Sequence, residues 1–381
     1  MTAPPLEPLS PLSSPDLVEV VALGESMVAF HPAPVGEVGW PGRLADVESF
    51  VRGIGGAESN VACTLARAGH RVRWLSRVGA DAFGDHLLAE IAACGVDTSR
   101  VSRDPTRPTG IYFRTPGARE PQAEPQAEPR AEHSAEPLSE VAYYRAGSAA
   151  SAMSPTNMAP AGPADGHVLH LTGITAALSA DCLNLLRTLT THHHPGAGPH
   201  RRRPHLSFDV NYRPSLWSSG QPDPTVLLTL ARASDLVFVG EDEAKAAWGI
   251  TGGPEAIRAA LPEPASLVVK QSAAGATLFT RDADGPIHEP APRVDVVASV
   301  GAGDAFAAGY LSATLRGLPA RQRLRHGHLT AAAALTVPGD LAVPPTRATA
   351  DRLAALPPDR WRALHLTPGW TKAKAKAKAP R

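Results

Sequence analysis

The sequence predicts an α/β protein, a three-layer α/β/α sandwich whose mainly parallel central sheet is covered by helices on both faces and accompanied by a small separate β-sheet. Two observations predict it. Short apolar runs alternate with stretches of helical periodicity, several of them closed by glycine. A few short β-branched or aromatic segments break that rhythm and so belong to another sheet. The elements follow in order. Leu17 to Leu23, ending at Gly24, suits a buried parallel strand. Ala57 to Ala68 carries helical periodicity closed by Gly69, Arg71 to Val78 returns to strand, and Phe83 to Cys94 is a helix closed by Gly95. Strand and helix candidates then alternate through His167 to Leu171, Cys182 to Leu189, His205 to Val210, Val226 to Ala233, Leu236 to Val239, Asp242 to Trp248 and Leu267 to Lys270. The segments that break the rhythm are Met27 to His31, Val47 to Val51, Gly110 to Arg114 and Val141 to Arg145. Such an outgrowth is suited to act as a lid that keeps water from a reacting group.

Residues 1–16 are expected to be a disordered leader, 17–350 the folded domain, and 351–381 a C-terminal segment with a basic tail. Lid strands are expected from about 27–51 and 110–145. The repeat from Glu120 to Pro137 has proline every few residues and almost no apolar content, and His192 to Pro204 is similarly polar. Both read as disordered insertions, at 115–139 and 192–204.

Composition narrows the function classes. At 381 residues, 43% hydrophobic and 19% charged, the chain can bury a large core. Its formal net charge of zero offers no general field for nucleic acid. Cys63, Cys94 and Cys182 lack close pairing or metal-ligand spacing, and core thiols of a cytoplasmic protein are expected. No run of about 18 apolar residues predicts a membrane span. Consecutive residues rarely converge on one ion, so His192, His193 and His194 do not predict a metal site. The tail from Lys372 to Arg381 is expected to be solvated.

Two glycine motifs carry the chemistry. In Gly301-Ala302-Gly303-Asp304 a glycine turn runs into an alanine-rich helix with a carboxylate in its first turn. Helix N-terminal N–H groups suit charge developing on a transferred phosphoryl group, and Asp304 can accept the proton of an attacking hydroxyl. The plainer reading is a glycine loop with Asp304 as a helix cap. The second motif, Gly53 to Asn60, opens another helix, with small residues at Gly53, Gly55 and Gly56 and the two-way hydrogen-bonding amide of Asn60 one turn in. Neither is a dinucleotide fingerprint or a Gly-Lys-Ser/Thr phosphate loop.

Together, at opposite ends of an alternating α/β chain, these motifs resemble the ribokinase-like, phosphofructokinase-B type, family of sugar kinases. The resemblance covers about Val18 to Pro345. It implies a parallel sheet with a β lid, and transfer of the γ-phosphoryl of ATP to a sugar hydroxyl with Mg²⁺. By the resemblance Gly301, Ala302 and Gly303 form the anion hole, Asp304 is the base, and Glu243 helps organise Mg²⁺. The strings Tyr143 to Ser148, Leu169 to Thr175, Asp209 to Trp217 and Pro338 to Asp340 resemble the 2-keto-3-deoxygluconate kinases within that family. This implies that Gly56, Asn60, Tyr112, Tyr143, Arg145, Arg213 and Asp340 line the substrate pocket. It likewise places Asn211, Arg213, Lys270, Ser272, Gly275, Gly301, Gly303 and His328 near ATP. Arginine is the side chain best shaped for a carboxylate, so Arg145 and Arg213 favour an acidic sugar. The plainer readings are lid packing for Tyr112 and Tyr144, and a turn for Asp340.

The chain departs from the family pattern at four places. Ala298 replaces an Asp six residues before Asp304, on which a monovalent-cation site would depend. Ser272 replaces a glycine of the nucleotide loop, Gly240 replaces the Asn of an Asn-x-x-Glu motif, and His328 stands where an asparagine is common. The reading that follows is an ATP- and Mg²⁺-dependent sugar-acid kinase acting on a small molecule, with a homo-oligomer through the lid suggested by analogy. The alternatives are a kinase for a neutral sugar such as fructose or ribose, and a catalytically silent sugar-acid binding protein.

Overall fold

The computed structural model describes residues 18–33, 43–115, 140–159, 162–163, 165–191, 203–217, 223–281, 283 and 285–372. The expected leader, nearly all of both polar insertions with their three consecutive histidines, and the tail beyond Lys372 lie outside the described residues. The chain begins with β1 (Val18–Leu23), β2 (Met27–Pro32), β3 (Phe50–Gly55), α1 (Ala57–Arg67), β4 (Val72–Leu75), β5 (Arg77–Gly79), α2 (Ala82–Ala93) and β6 (Ser102–Asp104). It continues with β7 (Ile111–Arg114), β8 (Val141–Tyr144), α3 (Pro155–Met158), β9 (Gly166–Thr172), α4 (Gly173–Ala177), α5 (Ala180–Thr190), β10 (His205–Asp209), α6 (Val226–Arg232), β11 (Leu236–Gly240) and α7 (Glu241–Trp248). The last part holds α8 (Gly253–Ala260), β12 (Ser266–Lys270), β13 (Ala276–Thr280), β14 (Ile287–Glu289), β15 (Arg293–Val294), α9 (Ala302–Leu315), α10 (Ala320–Leu335), α11 (Arg347–Ala354), α12 (Pro358–Arg362) and β16 (His365–Leu366).

Eight strands form the central sheet in the order β14-β13-β12-β11-β10-β9-β1-β4. The six from β4 to β12 are parallel, and β13 and β14 turn back antiparallel at one edge. Alternation along the strands divides the core into two layers. In β11, Val237 and Val239 pack with Leu183 and Leu186 of α5 and Leu230 of α6, whereas Leu236 and Phe238 pack with Val61 and Leu65 of α1 and Leu311 of α9. A third cluster joins Leu329 and Ala332 of α10 to Leu353 of α11, Trp361 of α12 and Leu366 of β16. Among the described residues, no helix is long and apolar enough to cross a membrane.

The small separate sheet has the order β3-β2-β7-β8. Its second segment along the chain differs from the expected Val47 to Val51: the strand is Phe50–Gly55, preceded by a 3-10 turn at Leu44–Asp46. Gly53 and Gly55 therefore lie in an edge strand rather than in a turn, where lost side-chain packing is tolerated. Register places Ala29, Gly53, Tyr112 and Tyr143 abreast, so that His31 and Arg114, two residues further along their strands, share the same face. The expected strand from Arg71 to Val78 is divided. Its first half, β4, joins the central sheet, and its second, β5, pairs with β6.

Candidate active site

The residues that follow the parallel strands gather at the carboxyl edge of the sheet, where open α/β sheets bind ligands. Strand order reverses between β1 and β9. Glu25 follows β1, Asp209 ends β10 with Asn211 and Arg213 beyond it, Gly240 ends β11, and Lys270 ends β12.

Asp304 stands in the first turn of α9 and is 9% exposed. Asn60 of α1 donates Nδ2–H to its Oδ2 at 2.9 Å, and Asn211 donates Nδ2–H to its Oδ1 at 3.3 Å. The Oδ1 atoms of both asparagines are buried and accept no hydrogen bond among the described residues, which fits them to a ligand hydroxyl. Burial pushes the Asp304 carboxyl up to about 6; Asn60, Arg213 and Lys270 oppose the rise, and the nearby Asp209 adds to it. A carboxylate at that level is ionised near neutrality yet basic enough to take a proton. Asn211 reaches it from φ 39°, a left-handed conformation that asparagine tolerates better than most residues.

The helix it opens has no side-chain cap, so the first-turn N–H groups are left for an anion. Gly301 enters at φ 75°, and a Cβ there would come within 2.3 Å of the Asp340 carbonyl oxygen. Only glycine meets both demands. A Cβ on Gly303 would lie 3.7 Å from Lys270 Nζ, so the ammonium stands beside the same turn. Lys270 donates to both carboxylate oxygens of Asp209 at 2.9 and 3.0 Å. Burial opposes its charge, but Asp209 and Glu243 outweigh burial and hold the ammonium above the usual lysine range. Glu243 accepts from the Gly240 N–H at 2.8 Å, capping its own helix, and burial raises its carboxyl against the pull of Lys270. The position that lacks the expected Asn is thus held through the glutamate.

The small sheet supplies a second group. Tyr112 donates its hydroxyl to Asp340 Oδ2, and Arg114 forms an ion pair with Asp340 Oδ1. Burial and the Asp340 charge keep the Tyr112 phenol well above its ordinary value, so it acts as a donor. A Cβ on Gly55 would fall 2.1 Å from the Tyr112 hydroxyl and 2.5 Å from Asp340 Oδ2, which explains glycine there. Gly56 caps α1.

Arg145 Nη2 is paired with Glu25, whose other oxygen accepts from Ser148 Oγ at 2.6 Å. Tyr143 lies beside it, the guanidinium 5.8 Å from the ring centroid and the Tyr112 ring 5.6 Å away. Tyr144 points the other way and is 64% exposed. The two arginines expected to act together answer to different carboxylates: Arg145 to Glu25, and Arg213, by its charge, to Asp304 and Glu243. Ser272 adopts φ 51° and Gly275 φ 128° in the turn after Lys270, so serine takes the left-handed place of a glycine. Ala298 is buried. His328 is buried, its Nε2 3.1 Å from the Glu289 carbonyl and its ring edge-on to Phe306. Burial pushes that imidazole down to about 4.

Arg114, Glu25 and Asp209 were not singled out in the sequence. Arg114 carried a signal, since it lies two residues from Tyr112 on one strand face. Asp209 carried another, as a carboxylate ending an apolar strand.

Among the described residues, no cluster of three or more His, Cys, Asp or Glu side chains could hold a metal by protein ligands alone. Mg²⁺ bound through phosphates needs only one or two carboxylates, and Asp209 and Glu243 stand near the Gly301 turn through Lys270.

Residues 18–347 match the pfkB family carbohydrate kinases. The chain is 35% identical over 340 residues to a 2-dehydro-3-deoxygluconokinase of Bacillus subtilis, covering 87% of this chain and 93% of that one. It is 28% identical over 332 residues to a 2-dehydro-3-deoxygalactonokinase of Haloferax volcanii, covering 85% and 93%. A solved PfkB protein from Polaromonas matches with a TM-score of 0.69 at 32% identity, over 88% of this chain and 99% of that one.

Proposed function

Because the chain belongs to the pfkB family of carbohydrate kinases, we propose that it phosphorylates the 6-hydroxyl of 2-keto-3-deoxygluconate, also named 2-dehydro-3-deoxygluconate, with ATP and Mg²⁺. The observation that carries the chemistry is Asp304, held between two amide donors at an uncapped helix N-terminus beside Lys270. Asp304 takes the proton of the sugar hydroxyl as its oxygen bonds to the γ-phosphorus of ATP, while the bond from that phosphorus to the β,γ-bridging oxygen breaks and ADP leaves with the electron pair. The N–H groups of Ala302, Gly303 and Asp304 face the oxygens of the transferring group, and Lys270 adds positive charge there. Mg²⁺ brought in with the ATP phosphates would be held by Asp209 and Glu243 beside Lys270, and would supply neutralisation of phosphate charge there. Asn60 and Asn211 orient Asp304 and offer their amide oxygens to hydroxyls.

An acid is favoured over a neutral sugar by the names of two similar relatives and by Arg145. Glu25 grips one nitrogen of that guanidinium, while Nε is buried without a partner among the described residues and suits a carboxylate oxygen. Tyr112, Tyr143 and Asp340 complete the sugar-facing wall, and the small sheet serves as the lid.

The test is ADP release with Mg²⁺-ATP against 2-keto-3-deoxygluconate, its galactonate epimer, fructose, ribose and no sugar. Preference for the keto acids is expected. Preference for fructose or ribose would overturn the acid reading and leave a kinase, and no release with any sugar would make the chain a binding protein.

A further inference from the structure

Arg114 is 3% exposed in its side chain, lies on the sugar-facing side of the small sheet, and is absorbed by no step above. Its guanidinium meets three groups. Nε donates to His31 Nδ1 at 3.1 Å, Nη2 donates to the Pro338 carbonyl at 3.1 Å, and Nη2 also forms the ion pair with Asp340 Oδ1. Two of the three lie in the segment after α10, whose backbone rests on the catalytic turn: the Asp340 carbonyl occupies the space a Gly301 side chain would need. Tyr112 holds the other oxygen of the same carboxylate. One strand of the small sheet therefore grips Asp340 at both oxygens, and Asp340 in turn lies against the entry to α9. Lysine could not reproduce this, because a point charge has no fork to span a carbonyl, a ring nitrogen and a carboxylate.

We propose that Arg114 is a positioning residue which, through Asp340, sets the small sheet and the sugar-binding carboxylate against the Gly301 turn. The proposal rests on the reading of Asp340 as a sugar contact. Arg114 itself touches neither sugar nor phosphate; it fixes which way the Asp340 oxygens point and how far the small sheet stands from Asp304.

The experiment is a double-mutant cycle on the full chain with Arg114→Met, Asp340→Asn and both together, using whichever sugar of the panel releases ADP fastest. Each single change is expected to lower kcat/KM for the sugar by about 30-fold, as removal of one partner of a buried ion pair does. The double variant should lose about as much as one single variant, rather than the roughly 1000-fold that independent residues would give. KM for ATP should move less than about twofold in every variant, a result that general loosening of the fold would not produce. Multiplicative losses, or an equal rise in both KM values, would overturn the proposal. If Arg114→Met does not fold, Arg114→Lys keeps the charge without the fork, and a sugar KM equal to that of the unaltered protein would overturn it as well. A neutral sugar emerging as the best substrate would correct the substrate reading while leaving the cycle readable, and no turnover with any sugar would overturn both.

Discussion

As the proposed base, Asp304 is both helped and limited by its surroundings. Burial raises its basicity, which helps it take a proton, but the same burial favours the protonated form in which it cannot act. Because the raised value is about 6, kcat is expected to fall as pH drops through about 6 and to be level above it, the base being active only when deprotonated. Asp304→Asn should lower kcat by several orders of magnitude with a much smaller change in sugar KM, and a pH profile with kinetics on that variant checks both. Asp304 was legible in the sequence because glycines and a carboxylate before an apolar helix form a local pattern. Its partners were legible only in part. Asn60 and Asn211 were named by their motifs, but that they converge on the two oxygens of one carboxylate is a fact of the tertiary fold. Glu25, which occupies the guanidinium of Arg145, carried no signal, since an acid after a strand looks like any loop residue. That Arg145 already holds a counter-charge from its own chain follows from the cost of burying an unpaired guanidinium.

Elements β1, α1 and β9 converge around a buried acid. Glu58, in the first turn of α1, is fully buried and accepts from the hydroxyls of Thr172 at 2.7 Å and Thr175 at 2.6 Å, while its second oxygen has no partner among the described residues. Burial pushes this carboxyl up to about 7, against the two threonine hydrogen bonds. The folded form therefore binds its proton more tightly than the unfolded chain. The resulting stabilisation is complete below the ordinary glutamate value and is lost as pH rises through about 7. Glu58→Gln keeps an acceptor for the threonines without the buried charge. It should be more stable than the unaltered protein at pH 8, by roughly 2–3 kcal/mol, with the gain shrinking toward pH 5. Urea unfolding at the two pH values measures it, and an equal difference at both would refute the assignment. Strands and helices of the parallel part could be read from periodicity because each has a wholly apolar face. The small sheet was harder. Its strand at Phe50–Gly55 holds three glycine or charged residues in six positions, Arg52, Gly53 and Gly55, so no apolar alternation marks it.

At the scale of the molecule, the described C-terminal region is integral to the body. Trp361 is fully buried, donates its indole N–H to the Pro290 carbonyl at 2.9 Å, and lies under the Arg325 guanidinium at 4.8 Å. Trp361→Ala is expected to destabilise the protein by about 3–5 kcal/mol in denaturant unfolding, and a loss below about 1 kcal/mol would show the region to be dispensable. Fold class was legible from the alternation of elements, whereas strand order was not, because a parallel strand carries the same apolar pattern at any place in the sheet. The antiparallel strands β13 and β14 went unread for other reasons: β13 follows a turn where serine takes a left-handed place, and β14 has only three residues.

The distances along the chain between the groups on Asp304 have a kinetic consequence. Asn60 lies 244 residues before it and Asn211 93 before it. No local segment can assemble any part of this constellation, and each contact closes a long loop whose entropy must be met before the contact returns anything. In refolding, helices and apolar cores can form while the carboxylate still lacks both amides. Competence for chemistry is therefore a property of the finished topology rather than of any one segment of the chain.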